Sequence, residues 1–167
     1  MTTANRNTTI VVSTIFQDAG DATRAIEIAK GIDKYSPKDV DLRIIFLSHG
    51  SQFEQRALDC GFEIYHAEPK VDGIGERHDY KMTMNNFIGD KQLARKLIEG
   101  EVMAYNEIEP DVVLFGFWPM AGLAYRMMAR KILGICFVPV PCTTENYLDI
   151  IPAIPEHVPV FQFFHSE

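Results

Sequence analysis

Asp21 is the residue in this chain best placed for proton chemistry. It lies just past a short apolar run and opens an amphipathic stretch, within Phe16-Gln17-Asp18-Ala19-Gly20-Asp21. Two readings follow. As a helix cap, its carboxylate would meet the free N–H groups and the positive dipole end of the first turn. As a general base, it would take the proton from an alcohol or sugar hydroxyl as that hydroxyl attacks. Both can hold at once, although a helix terminus keeps a carboxylate ionised and lowers its basicity. Gln17, Gly20 and Arg24 flank it and are candidate substrate contacts.

Other reactive side chains fall at similar places. His49 and His66 each follow an apolar run, so they share an edge with Asp21. Exposed strand-end histidines are the plain reading, and His49-Gly50-Ser51 lining a cleft is the functional one. Trp118, with Phe16 and Phe117 nearby, offers an aromatic floor for a flat ligand or ordinary core packing. Arg126 and Arg130 read as a solvated helix face. Ser13, Ser48 and Ser51 lack a G-x-S-x-G elbow, which leaves a hydrolase triad without support. Cys60, Cys136 and Cys142 form no C-x-x-C pair, so neither a metal site nor a disulfide frame is expected. Nucleotide-binding loops are missing too. The first turn has only Gly20 where a dinucleotide fold needs G-x-G-x-x-G, and no G-x-x-x-x-G-K-[ST] occurs. No cofactor is expected.

The elements that must hold these residues follow from periodicity. Thr8–Ile15 reads as a buried strand and the helix after it as ending near Tyr35, before Ser36-Pro37. Leu42–Ser48 is apolar on both faces, which suits a parallel sheet covered on each side. A short helix spans Gln52 to Cys60, with Ser51 as its cap and Gly61 at its C′ position. Phe62–His66 is a third strand, and Ala67 to about Thr83 a long loop. A long helix runs from about Asn85 to Ile108, with Ala94, Leu97, Ile98, Val102, Tyr105 and Ile108 on its inner side. Gly89 and Gly100 are expected to bend or split it. Asp111–Phe115 is the fourth strand, Met120–Leu133 a helix ended by Gly134, and Ile135–Val138 the fifth strand. Prolines then break regularity until a possible edge strand at Phe161–Phe164.

Strands alternating with helices predict a doubly wound, Rossmann-like α/β domain with a mostly parallel sheet. Right-handed crossovers give the order 3-2-1-4-5, with the first and fourth strands meeting at the switch point. Ligands bind at the carboxyl ends of such strands, so Phe16–Asp21 and Gly116–Pro119 should line one crevice.

The 167 residues suit a single domain, and 47% are apolar, enough for a core. A net charge of −7 argues against a nucleic-acid partner. No apolar run approaches the ~18 residues of a membrane span. Met1–Asn7 carries no signal-peptide core. A cytoplasmic setting is the expectation.

Gly20-Asp21-Ala22-Thr23-Arg24, followed by an apolar helix and LRIIFLS, resembles the start of GT-B glycosyltransferases of the sterol- and macrolide-glucosyltransferase-like group. The likeness continues in Leu58-Asp59-Cys60-Gly61-Phe62-Glu63, in Pro110–Val113, and in Gly134-Ile135-Cys136-Phe137-Val138, which is similar to a "G-I-P-x-V" strand. It spans most of residues 8 to 140. The resemblance implies an inverting sugar transfer from a nucleotide-sugar donor to an acceptor hydroxyl. The base in that family follows the first-loop glycine, here at Asp21, and Arg24 falls where many members have Pro or Arg. Departures are the missing extra glycines in the first loop, Cys136 in place of the usual Pro, and no donor-binding C-terminal domain. The expected whole is therefore the acceptor-side half of such an enzyme, working with a second domain or subunit. The rival expectation is a non-catalytic module that binds a small molecule or a protein in the same crevice. A flavodoxin-like or response-regulator-like domain fits less well, because the first loop has no Ser/Thr-rich run and the fifth strand no lysine.

Overall fold

The computed structural model describes residues 6–14, 19–71, 91–116 and 118–137. Gln17, Asp18, Phe117, Gly89, the loop beyond Val71, the start of the long helix and the possible strand at Phe161–Phe164 lie outside them.

Five strands, β1 (Arg6–Ser13), β2 (Val40–Ser48), β3 (Glu63–His66), β4 (Val112–Phe115) and β5 (Leu133–Cys136), form one parallel sheet. The strand order is β3-β2-β1-β4-β5, as the alternation predicts. Helices α1 (Ala19–Tyr35), α2 (Glu54–Asp59), α3 (Lys91–Ile108) and α4 (Pro119–Met127) cover it. The β1 side chains alternate between two cores. Ile10 and Val12 pack with Ala22, Ala25, Ile26 and Ala29 of α1, together with Ala57 of α2. Val11 packs with Leu97, Ala104 and Tyr105 of α3 and Met120, Ala121 and Ala124 of α4. β2 divides in the same way, Ile44 and Phe46 against Ile45 and Leu47. Strands buried on both faces are what a sheet between two helical layers requires.

Local chemistry explains most element ends. α2 stops in a Schellman arrangement. The Gly61 N–H donates to the Leu58 carbonyl at 2.8 Å, the Phe62 N–H donates to that of Ala57 at 3.1 Å, and Gly61 takes φ 85°. Pro119 opens α4, where its missing N–H costs nothing.

Four expectations need correcting. Ser51 does not cap α2. Phe53 holds the N-cap position, and the Ser51 hydroxyl accepts from the Phe53 N–H in the preceding turn. α4 ends at Met127 rather than Leu133. Met128 turns extended, and Arg130 reaches back to the Glu109 carbonyl at 2.6 Å and to Asp111 at 3.3 Å. That tether outweighs the helical pattern, and Arg130 belongs to no helix face. Gly134 then stands inside β5, where a Cβ would lie 2.3 Å from the Tyr125 ring. Finally, Gly100 does not split α3. It sits in an unbroken helix where a Cβ would lie 1.8 Å from the Glu68 carbonyl oxygen, so the chain after β3 packs directly on the helix backbone.

Candidate functional site at the carboxyl edge of the sheet

Asp21 lies in the first turn of α1, the third helical residue, and so is not the cap. It is 4% exposed. Arg24, one turn on, places a guanidinium nitrogen 3.2 Å from Asp21 Oδ1, with about a third of its side chain in solvent. Parallel pairing sets β1 beside β4 and brings Gly116 to the same place. A Cβ on Gly116 would lie 3.5 Å from Asp21 Oδ1 and 2.9 Å from the Phe137 ring. The first turn of α1 and the turn after β4 thus meet at the switch point. Gly20 is exposed beside them. Gln17 lies outside the described residues.

His49 and Trp118 face the other side of the sheet. Both are buried, and both turn toward Glu101 of α3, which is fully buried. Oε1 of Glu101 accepts from Ser13 Oγ at 2.7 Å and from the Trp118 indole N–H at 2.6 Å. Oε2 accepts from the Tyr105 hydroxyl at 2.5 Å. His49 Nδ1 donates to the Pro69 carbonyl at 3.0 Å, which leaves Nε2 toward Glu101 Oε1 at 3.6 Å, too long for a hydrogen bond. The imidazole also stacks obliquely on Trp118, with ring centroids 5.9 Å apart. Burial, followed by the Glu101 charge, pushes the Tyr105 phenol well above its ordinary range, so it remains a neutral donor. Charge-assisted hydrogen bonds of this kind are the strong ones. They tie the ends of β1 and β4 to the middle of α3.

Glu101 is missing from the inner face expected of α3. The signal is present, because Leu97, Glu101 and Tyr105 recur every four residues, a stripe that lies along one side of a helix. A carboxylate centred on an apolar stripe marks a buried polar centre when donors lie within reach.

The remaining groups are peripheral. His66 is exposed and bonds Glu54 Oε2 at 3.0 Å, while Glu54 Oε1 accepts from Ser48 at 2.6 Å. Partial burial raises the Cys136 thiol, which disfavours the thiolate a nucleophile needs. Among the described residues no cluster of three His, Cys, Asp or Glu could hold a metal, and no helix is long and apolar enough to cross a membrane. A groove of about 700 Å³ opens at the opposite, amino-terminal edge between α1 and the first two strands. Thr8, Ile28, Tyr35, Pro37 and Val40 line it, away from Asp21. No protein-family model matches the chain, and no curated protein matches it either.

Proposed function

We propose that the chain is the acceptor-side half of a GT-B glycosyltransferase, with Asp21 as the base that activates the acceptor hydroxyl. The observation that supports this most is the buried Asp21 carboxylate at the β1–β4 switch point, the crevice where doubly wound folds bind ligands. In the reaction the acceptor oxygen forms a bond to the anomeric carbon from the face opposite the leaving group. The bond from that carbon to the donor phosphate breaks, and the nucleoside diphosphate departs with the electron pair. The hydroxyl proton passes to Asp21. Arg24 pairs with Asp21 Oδ1 and orients the carboxylate. A second Rossmann-like domain, in the same chain or as a partner subunit, supplies the donor.

The rival is a binding module without catalysis. The Arg24–Asp21 pair favours it, since an ion pair in the first turn is also a stabilising device of the helix. One substitution separates the two. Asp21→Asn in the enzyme assembled with its donor-binding half should cut turnover by about 10²–10⁴, the scale of general-base loss. Full activity in that variant leaves Asp21 a purely structural residue.

A further inference from the structure

The two edge strands of the sheet are equal in length and unlike in chemistry. At one edge, Glu63 of β3 pairs with Arg43, Tyr65 donates to Glu107, and His66 bonds Glu54. Charged groups along a free edge guard it against pairing with another strand. At the other edge β5 reads Leu133-Gly134-Ile135-Cys136, and no charged residue occurs from Ile132 to Thr144. Leu133 and Ile135 are 59% and 43% exposed, and Cys136 is exposed as well.

Hydrogen bonds show which backbone groups of β5 remain. The Leu133 N–H donates to the Asp111 carbonyl at 3.0 Å, and the Phe137 N–H donates to that of Phe115 at 2.9 Å. Backbone groups change side from one strand residue to the next. Leu133, Ile135 and Phe137 therefore address β4, and Gly134 and Cys136 turn their N–H and C=O groups outward. Among the described residues β5 pairs with β4 alone. An apolar edge of this kind is a template for a further strand.

The chain beyond β5 holds a segment that fits. Val160-Phe161-Gln162-Phe163-Phe164 is uncharged, has the composition of a strand, and begins just after Pro159. Residues 138–159 separate it from Phe137, more than the dozen or so that a crossover to a parallel neighbour needs. The other apolar stretch, Leu148-Asp149-Ile150-Ile151, follows Phe137 too soon for such a crossover and carries Asp149.

We propose that Val160–Phe164 docks on β5 as a sixth, parallel strand and closes this edge of the sheet. Phe161 and Phe163, two positions apart and so on one face, cover Leu133 and Ile135. Residues on one face of a parallel sheet address the same neighbour, so Phe161 and Phe163 turn their backbone groups to Gly134 and Cys136. The step from β5 repeats the direction of the step from β4. A right-handed crossover therefore carries residues 138–159 over the face that α4 occupies.

Amide hydrogen exchange on the full chain tests this. Gly134 and Cys136 should be protected together with Ile135. Free-peptide exchange at Gly134 and Cys136 beside a protected Ile135 would leave the edge open and overturn the proposal. Phe163→Pro removes a donor that faces β5. It should speed exchange at Gly134 and Cys136 about tenfold, with the Val11 amide of β1 unchanged. Phe163→Leu should keep the protection. Protection that survives Phe163→Pro assigns the edge to another segment and overturns the proposal. Protection that falls on dilution, with a dimer in sedimentation, assigns it to a second copy and does the same. If Phe163→Pro also releases Val11, nuclear Overhauser contacts in the unmodified chain decide. Contacts from the Phe161 and Phe163 rings to the Leu133 and Ile135 methyls uphold the sixth strand, and their absence overturns it.

Discussion

Glu101 carries more of the molecule's polar organisation than any other described side chain. Its two oxygens accept from Ser13, Trp118 and Tyr105, and His49 stands close by. Removing Glu101 takes away the acceptor that Ser13, Tyr105 and Trp118 share, and each buried neutral donor left unsatisfied typically costs about 1–3 kcal/mol. Glu101→Leu should lose stability on that scale in urea unfolding. Glu101→Gln, which keeps an accepting oxygen, should lose less. Trp118 is the single tryptophan, so its emission should move to shorter wavelength in the Leu variant, where the indole N–H no longer donates to a carboxylate. An unchanged spectrum and midpoint would remove Glu101 from this role. Tyr105 adds a pH signature. Its folded pKa is raised well above the ordinary 10.0 by burial and by Glu101. The unfolded phenol therefore ionises first as pH rises. The stability tied to Tyr105 is complete below about pH 10 and declines above it, until the folded phenol also ionises. Wild type should be more stable than Tyr105→Phe at neutral pH, with the gap narrowing above pH 10. A gap constant across that range would mean that Tyr105 does not titrate differently in the two states.

At the scale of elements, two glycines in helices should respond in opposite directions. Gly31 lies within α1 with nothing inside 4 Å of the position a Cβ would take. Gly31→Ala should stabilise by roughly 0.5–1 kcal/mol, the entropy a mid-helix glycine costs. Gly100 lies in α3 against the Glu68 carbonyl, 1.8 Å from its would-be Cβ. Gly100→Ala must push the segment after β3 off the helix, and should destabilise by about 1–3 kcal/mol as overpacking does. Parallel thermal unfolding of the two variants checks both. Equal shifts would show that propensity alone governs these sites. By contrast, the Arg43–Glu63 pair joins β2 to β3 through two bonds of 3.0 and 2.7 Å, but it lies in solvent, and exposed pairs contribute little.

At the scale of the whole molecule, the proposed division of labour has a direct consequence. A diphosphate seeks free backbone N–H groups at a helix N-terminus. The first turn of α1 instead holds a buried carboxylate. A like charge there opposes the ~0.3–1 kcal/mol that a helix dipole usually provides. The isolated chain should therefore bind nucleotide sugars weakly or not at all, and transfer no sugar until a donor-binding domain is supplied. Calorimetry with common nucleotide sugars measures this. Tight binding, or transfer by this chain alone, would overturn the division between two domains.

Topology was readable from the chain because it depends on local period. Two-sided apolar runs at β1 and β2, helices between strands, and the right-handed crossover leave few arrangements. The order β3-β2-β1-β4-β5 is the one they predict, and with it the meeting of Asp21 and Gly116. The polar centre was not readable in that way. Period places Glu101 on the stripe of Leu97 and Tyr105, but only packing brings Ser13, 88 positions away, to the same carboxylate. The end of α4 depends in the same manner on Arg130 finding Glu109 and Asp111. His49 reads as a strand-end histidine until the chain at Pro69 covers it. A local pattern records which face a residue takes. Which donor meets which acceptor is decided where distant segments close on one another and exclude water, and there the tertiary structure alone supplied the answer.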